Sequence, residues 1–175
     1  EFLTPSREEL NLLNKTQLHP YLEKNNPDMV IHAAGQVGGI KVNMNNPVKF
    51  FYENAQMALN VLLVSRELEI KKLLNFGSSC IYPKDAENPL REEFLLKGDL
   101  EPTNEGFALA KLSAIKLCEY INYENQDYLY KSIIPCNLYG RFDTFDLEDS
   151  HMIPSVIKKI SEAKDKKNSN INVWG

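Results

Sequence analysis

Short apolar runs alternate along this chain with stripes of apolar residues at helical spacing. Residues 29–34 (MVIHAA) follow Pro27-Asp28 and precede a glycine-rich stretch, 35–39 (GQVGG), which predicts a buried strand running into a loop. Phe51, Ala55, Ala58, Leu59, Leu62 and Leu63 predict a long helix over 48–68, with Pro47 near its start. Residues 72–76 (KLLNF) predict a second strand, ending at Gly77-Ser78-Ser79. Leu109, Leu112, Ile115, Cys118 and Ile121 mark the turns of a second long helix over 106–122. Residues 132–135 (SIIP) predict a third strand stopped by Pro135, and 151–164 a further helix with Pro154 in its first turn. Glu1-Phe2-Leu3 reads as the middle of a strand and 172–175 (NVWG) as the end of one, so the chain reads as a piece of a longer one.

Strand, helix, strand, helix, strand implies right-handed crossovers and an α/β fold with a parallel sheet, helices covering both faces. Chemistry in such sheets gathers outside the carboxyl ends of the strands. Three loops reach that edge, at 35–39, 78–80 and 136–140. Ser78, Cys80, Phe107 and Lys111 are expected to cluster there.

Composition narrows the classes without naming a function. The chain has 175 residues, 43% hydrophobic and 25% charged, enough for one domain with a real core. A formal net charge of -4 gives no overall basic balance toward nucleic acid. The late cluster Lys158, Lys159, Lys164, Lys166 and Lys167 reads as a solvated helix face. The 3 cysteines, odd in number and without Cys-x-x-Cys spacing, argue against a disulfide framework or a metal site and point to a reducing cytosol. No apolar run approaches ~18 residues, and no signal peptide is visible, so no membrane association is expected.

The chemistry-bearing stretch is 101–111 (EPTNEGFALAK), where Phe107 and Lys111 stand one helical turn apart on a shared face. Ser78, directly after a strand, can donate to a carbonyl oxygen or can belong to a serine-rich turn. Read by themselves, Cys80 suits a small buried thiol, His151 a helix-terminal residue and Arg7 a surface arginine.

The words GSSCIYP (77–83), EPTNEG-x-A-x-AK (101–111), NLYG (137–140) and SHMIP (150–154) resemble the GDP-L-fucose synthase group of extended short-chain dehydrogenases/reductases, and the likeness runs over nearly the whole chain. The resemblance implies a Rossmann-type doubly wound NADP-binding domain over 1–150, lacking its first strand and glycine-rich phosphate loop. It places the start of a smaller sugar-nucleotide-binding domain at 151–175, and it implies a homodimer. The group uses a Ser-Tyr-Lys triad. Here Phe107 occupies the tyrosine's place, which keeps the ring and loses the titratable group. Ser78 would hold the C4 carbonyl oxygen of a GDP-4-keto-deoxy sugar, with Ser79 beside it, and Lys111 would bind the nicotinamide ribose. Cys80 and His151 match the pair that removes and returns protons next to the ketone. Arg7 would meet the 2'-phosphate of NADP. Ala33, Ala34, Asn137, Leu138 and His151 would line the cofactor. Lys159 would face the substrate diphosphate, and Trp174 would lie near the nucleotide or in the core.

The expectation is therefore an NADPH-dependent reduction of the C4 ketone of a GDP-4-keto-6-deoxy-hexose with 3,5-epimerisation, impaired by Phe107, whether that residue is engineered or natural. Two other readings stay open: a C4 reductase of a GDP-4-keto-heptose without epimerisation, and a non-catalytic sugar-nucleotide-binding homologue.

Overall fold

The computed structural model describes residues 1–146 and 150–173. Leu18 and Leu22, one turn apart, give the otherwise polar segment α1 (Lys15–Asn25) its buried edge. β1 (Val30–His32) follows, then the short α2 (Ile40–Asn45) and the long α3 (Pro47–Glu67), which Pro47 opens at a position where its missing N–H costs nothing. β2 (Lys72–Phe76) leads through a 3-10 turn at Ser79–Ile81 to α4 (Glu105–Glu124), β3 (Leu129–Ile133) and α5 (Met152–Asp165). Among the described residues no helix is long and apolar enough to cross a membrane.

The three strands are parallel, in the order β1-β2-β3. Their register puts His32, Asn75 and Ser132 in one row across the sheet, and Val30, Leu73 and Tyr130 in another. Leu73 and Tyr130 join Val61, Leu62, Val64, Ala114, Cys118 and Ile121 of α3 and α4 in the main core. A smaller core of Ile81, Leu100, Ala108, Leu112 and Ile115 sits beneath the turn after β2.

Several expected boundaries move. The third strand begins at Leu129, not at residue 132, because pairing with β2 starts at Lys72 and ends with Phe76. Residues 1–3 are not a strand: none of the described strands pairs with them, and Phe2 is exposed. Residues 172 and 173 are likewise outside regular structure. The two long helices pack against each other and on one face, as successive same-handed crossovers between neighbouring strands require. The opposite face presents Ile31, Leu129 and Ile133, all exposed, so the second helical layer expected there does not cover them.

Tyrosine and asparagine close the open side of β3. Asn122 donates to the Tyr130 carbonyl at 2.7 Å and accepts its N–H at 2.9 Å, which occupies backbone groups that an edge strand would otherwise leave free. The Tyr128 and Tyr130 rings meet edge to face at 5.4 Å, and their hydroxyls donate to the carbonyls of Arg66 and Ile70.

The start of α4 lies hard against the start of α3. A Cβ at Gly106 would stand 2.9 Å from the Pro47 carbonyl oxygen and 3.4 Å from the Phe51 Cβ. Alanine at 106 would favour the helix by about 1 kcal/mol. It would also force two packed backbones apart, at a cost of about 1–3 kcal/mol. Gly106→Ala should therefore lower the denaturant midpoint of unfolding, against helix propensity; a raised midpoint would show that the helices separate freely.

His32 is 4% exposed within the helix-covered row. Its pKa is lowered to about 4, first by burial and second by the charge of Lys111. The unfolded chain, with histidine near about 6.5, then binds a proton that the folded chain refuses between those values. This contribution to stability is complete above the unfolded value and is lost as pH falls toward the folded one. His32→Gln should flatten the dependence of unfolding free energy on pH across that window. An unchanged slope would assign the acid sensitivity to other groups.

Candidate active site

Where β2 ends, Gly77 donates its N–H to the Ile133 carbonyl at 2.8 Å and so continues the pairing with β3. A Cβ there would lie 3.1 Å from that oxygen and 3.2 Å from the Ile115 side chain, so a residue without a side chain suits the close approach. The chain then turns. Ser78 caps the 3-10 turn, its Oγ accepting from the Cys80 N–H at 3.4 Å. Ser78, Ser79 and Cys80 are thereby presented at the carboxyl edge of the sheet, each half-buried.

α4 brings the second part. Phe107 and Lys111 stand one turn apart, with the Lys111 Nζ 5.7 Å from the Phe107 ring centroid. That ammonium is buried and donates to the carbonyl of Phe76, the last residue of β2, at 3.0 Å. Burial pushes its pKa below the ordinary lysine value.

The loop after β1 closes over the same lysine. A Cβ at Gly35 would lie 3.5 Å from the Lys111 Nζ and 3.1 Å from the Asn54 Oδ1. Asn54, buried on α3, clasps Gln36 from both sides: it accepts the Gln36 N–H at 2.9 Å and donates to the Gln36 carbonyl at 3.0 Å. Asn54 also donates to the Phe50 carbonyl within its own helix. Two hydrogen bonds thus pin the loop at Gln36.

Asn104, just before α4, donates its side-chain N–H to the Cys80 Sγ at 3.3 Å. This bond joins the turn after β2 to the helix that carries Phe107 and Lys111. The edge therefore assembles three segments distant in sequence, and four of the expected residues (Ser78, Cys80, Phe107, Lys111) lie on the two that Lys111 and Asn104 tie together.

The other expected residues are placed less closely. Ala33 and Ala34 are exposed where β1 runs out, and Asn137 and Leu138 are exposed beyond β3. Arg7 is exposed in a turn held by Ser6 and Glu9, whose backbone and side chains bond each other reciprocally. His151 is the exposed N-cap of α5. Lys159 donates to the Asn172 carbonyl at 2.9 Å. Of the basic cluster, Lys158 and Lys166 both pair with Glu162, which bears out the solvated-face reading for them. Trp174 lies outside the described residues.

Sequence reasoning assigned no role to His32, Asn54 or Asn104. A signal existed for Asn54, a polar residue one turn from both Phe50 and Ala58 on the apolar side of its helix. Asn104 lies inside the 101–111 motif, but nothing in its spacing points to a sulfur 24 positions away.

Comparison with known proteins agrees with this geometry. The family model described as "NAD dependent epimerase/dehydratase family" matches residues 3–175. A GDP-L-colitose synthase of Yersinia pseudotuberculosis is 55% identical over 175 residues, 100% of this chain and 57% of that protein. A GDP-L-fucose synthetase from Naegleria fowleri, solved bound to NADP, superposes with a TM-score of 0.87 at 30% identity over 99% of this chain and 56% of that one. A GDP-mannoheptose C4 reductase from Campylobacter jejuni, solved with NADP bound, gives a TM-score of 0.83 at 30% identity over 96% of this chain and 53% of the other. The chain spans little more than half the length of these relatives. With a match running from residue 3 to the end, and with the parallel sheet and its loaded carboxyl edge, the chain belongs to the NAD dependent epimerase/dehydratase family.

Proposed function

We propose that this chain forms the cofactor-binding and catalytic part of an NADP-dependent enzyme that reduces the C4 ketone of a GDP-4-keto-6-deoxy-hexose, with epimerisation at C3 and C5. The observation that carries the reading is the buried Lys111 ammonium on the Phe76 carbonyl, with Phe107 one turn away and the Ser78–Cys80 turn beginning two residues after Phe76. The likeness to a GDP-L-colitose synthase and to a GDP-L-fucose synthetase supports a GDP-linked sugar as substrate.

The residues present fit a dinucleotide. Gly35 leaves open the space that a side chain would fill above Lys111, and Ala33 and Ala34 add little bulk beside it. When bound, NADPH supplies the hydride for C4. The chain supplies the rest. Arg7 would present its guanidinium to the 2'-phosphate, Lys111 would donate to the ribose hydroxyls, and Asn137, Leu138 and His151 would hold the nicotinamide. Ser78, with Ser79 beside it, donates a hydrogen bond to the C4 oxygen and holds the ketone in place. That ketone acidifies the neighbouring C–H bonds, so Cys80 removes a proton there and His151 returns one from the opposite face. Phe107 contributes no proton, which leaves the C4 alkoxide without its usual acid.

Residues 151–173, with Trp174 beyond them, begin the part that binds the substrate, where Lys159 meets the diphosphate. Exposed Val48, Tyr52 and Leu59 on α3 and Leu109 and Tyr120 on α4 support a homodimer built on the outer faces of those helices. Three unpaired cysteines support a reducing, cytosolic location. A second reading, C4 reduction of a GDP-linked heptose without epimerisation, is favoured by the likeness to the mannoheptose reductase.

Restoring the acid tests the reading directly. Phe107→Tyr should raise NADPH-dependent 4-keto reduction by about 10²-fold or more, the scale of a positioned general acid. NADPH affinity should change little, since Lys111 and Arg7 are untouched. Equal rates in the two forms would mean that another group donates the proton.

Deuterium exchange separates the two sugars' chemistries. With Cys80 and His151 intact, the Phe107 protein should exchange the C3 or C5 protons of a GDP-4-keto-6-deoxy-hexose in D₂O, as followed by NMR. Cys80→Ser should slow that exchange, because a hydroxyl at neutral pH is a far weaker base than a thiolate. No enzyme-dependent exchange, alongside reduction of a keto-heptose by the tyrosine form, would favour the second reading.

A further inference from the structure

Asn104 breaks a local rule of helix formation. It stands at the N-cap of α4, where an asparagine normally turns its Oδ1 onto the first free N–H groups of the helix. Here the side chain makes no capping bond. Its Nδ2 donates instead to the Cys80 Sγ at 3.3 Å, and its Oδ1 is buried with no partner among the described residues. Asn104 also lines a cavity of about 200 Å³ together with Asn43, Pro47, Phe50, Gly106 and Phe107. Asn43, 8% exposed, has a second unpartnered Oδ1; its amide N–H groups are spent on the carbonyls of Gly38 and Gly39. A side chain that forgoes its helix to meet a sulfur marks a functional demand on that sulfur.

We propose that Asn104 is a positioning residue for Cys80: its amide N–H holds the sulfur at the sheet edge and donates to the thiolate that the proton-abstraction step uses. The inference deepens the reading of Cys80 as the base in epimerisation and rests on it for its catalytic meaning. A thiolate accepts a hydrogen bond far more strongly than a thiol does, so a donor fixed at the sulfur stabilises the charged form. The N-terminus of α4, which Asn104 opens, adds partial positive charge at the same place. A neutral amide suits the task, because it donates at every pH and never releases a proton of its own. In the step it serves, the C–H bond next to the ketone breaks and an S–H bond forms on Cys80. The electron pair moves onto the C4 oxygen as an enolate, to which Ser78 donates. His151 returns a proton to the carbon from the other face, the electron pair re-forms the ketone, and the proton on Cys80 passes to solvent.

The test is the pH dependence of Cys80 alkylation by iodoacetamide, read from the Cys80 peptide by mass spectrometry between about pH 6 and pH 10. Exposed Cys136 in the same protein serves as the internal reference. Three variants divide the possibilities. Asn104→Ala removes the donor. Asn104→Asp keeps the shape while replacing the N–H with a negative charge. Asn104→Ser supplies a good N-cap whose hydroxyl is too short for the sulfur, so the fold is kept while the donor is lost. Cys80 alkylation near neutral pH should fall about 5- to 10-fold in the alanine and serine variants and further in the aspartate variant, each profile moving to higher pH. The Cys136 profile should not move. An unshifted Cys80 profile in a folded Asn104→Ser protein would overturn the assignment, as would an equal slowing at Cys80 and Cys136 at every pH. If Cys80 shifts as expected but the unaltered protein exchanges no sugar protons, the epimerase reading fails and the positioning of the thiol stands.

Discussion

A buried ammonium must find an acceptor, and the hydrogen bond from Lys111 to the Phe76 carbonyl satisfies this need where α4 meets the carboxyl end of β2. Much of the edge follows from that bond. It fixes the rotation of α4, so Phe107 is aimed at the same place, and it sets α4 close above the turn that carries Ser78 and Cys80. The Gly106 contact with Pro47 then sets how near α3 approaches, and α3 in turn carries Asn54 to the loop over Lys111. Helix packing and site geometry are one constraint viewed from two ends.

The polar groups beneath this edge are arranged around charge. His32 lies in the covered row of the sheet, where burial and the charge of Lys111 keep it neutral at physiological pH. His32 stays neutral beside the Lys111 ammonium, and a Cβ at Gly35 would lie 3.5 Å from that ammonium. Asn54 and Asn104 contribute dipoles without adding ionisable groups. Phe107 brings a ring and no ionisable group to this setting.

The edge has two parts, each held by its own hydrogen bond. One is Lys111 on the Phe76 carbonyl with Phe107 one turn away; the other is Cys80, tied to Asn104 at the N-terminus of α4.

Periodicity and motif wording determined a good deal by themselves. They gave the parallel α/β class, the long helices to within a residue or two, β2 in full, the family, and the gathering of Ser78, Cys80, Phe107 and Lys111, since i,i+4 spacing and strand-end loops are local properties. Residues 1–3 and the start of β3 were misplaced because a strand exists only where a neighbour pairs with it, and pairing is not a local property. The same holds for the polar anchors. That Asn54 would clasp Gln36, that His32 would be buried near Lys111, and that Asn104 would abandon its cap for Cys80 depended on which segments folding brings within hydrogen-bond reach. An asparagine's spacing in sequence records its own helix, whereas the partner of its amide is chosen by the tertiary packing that desolvates it.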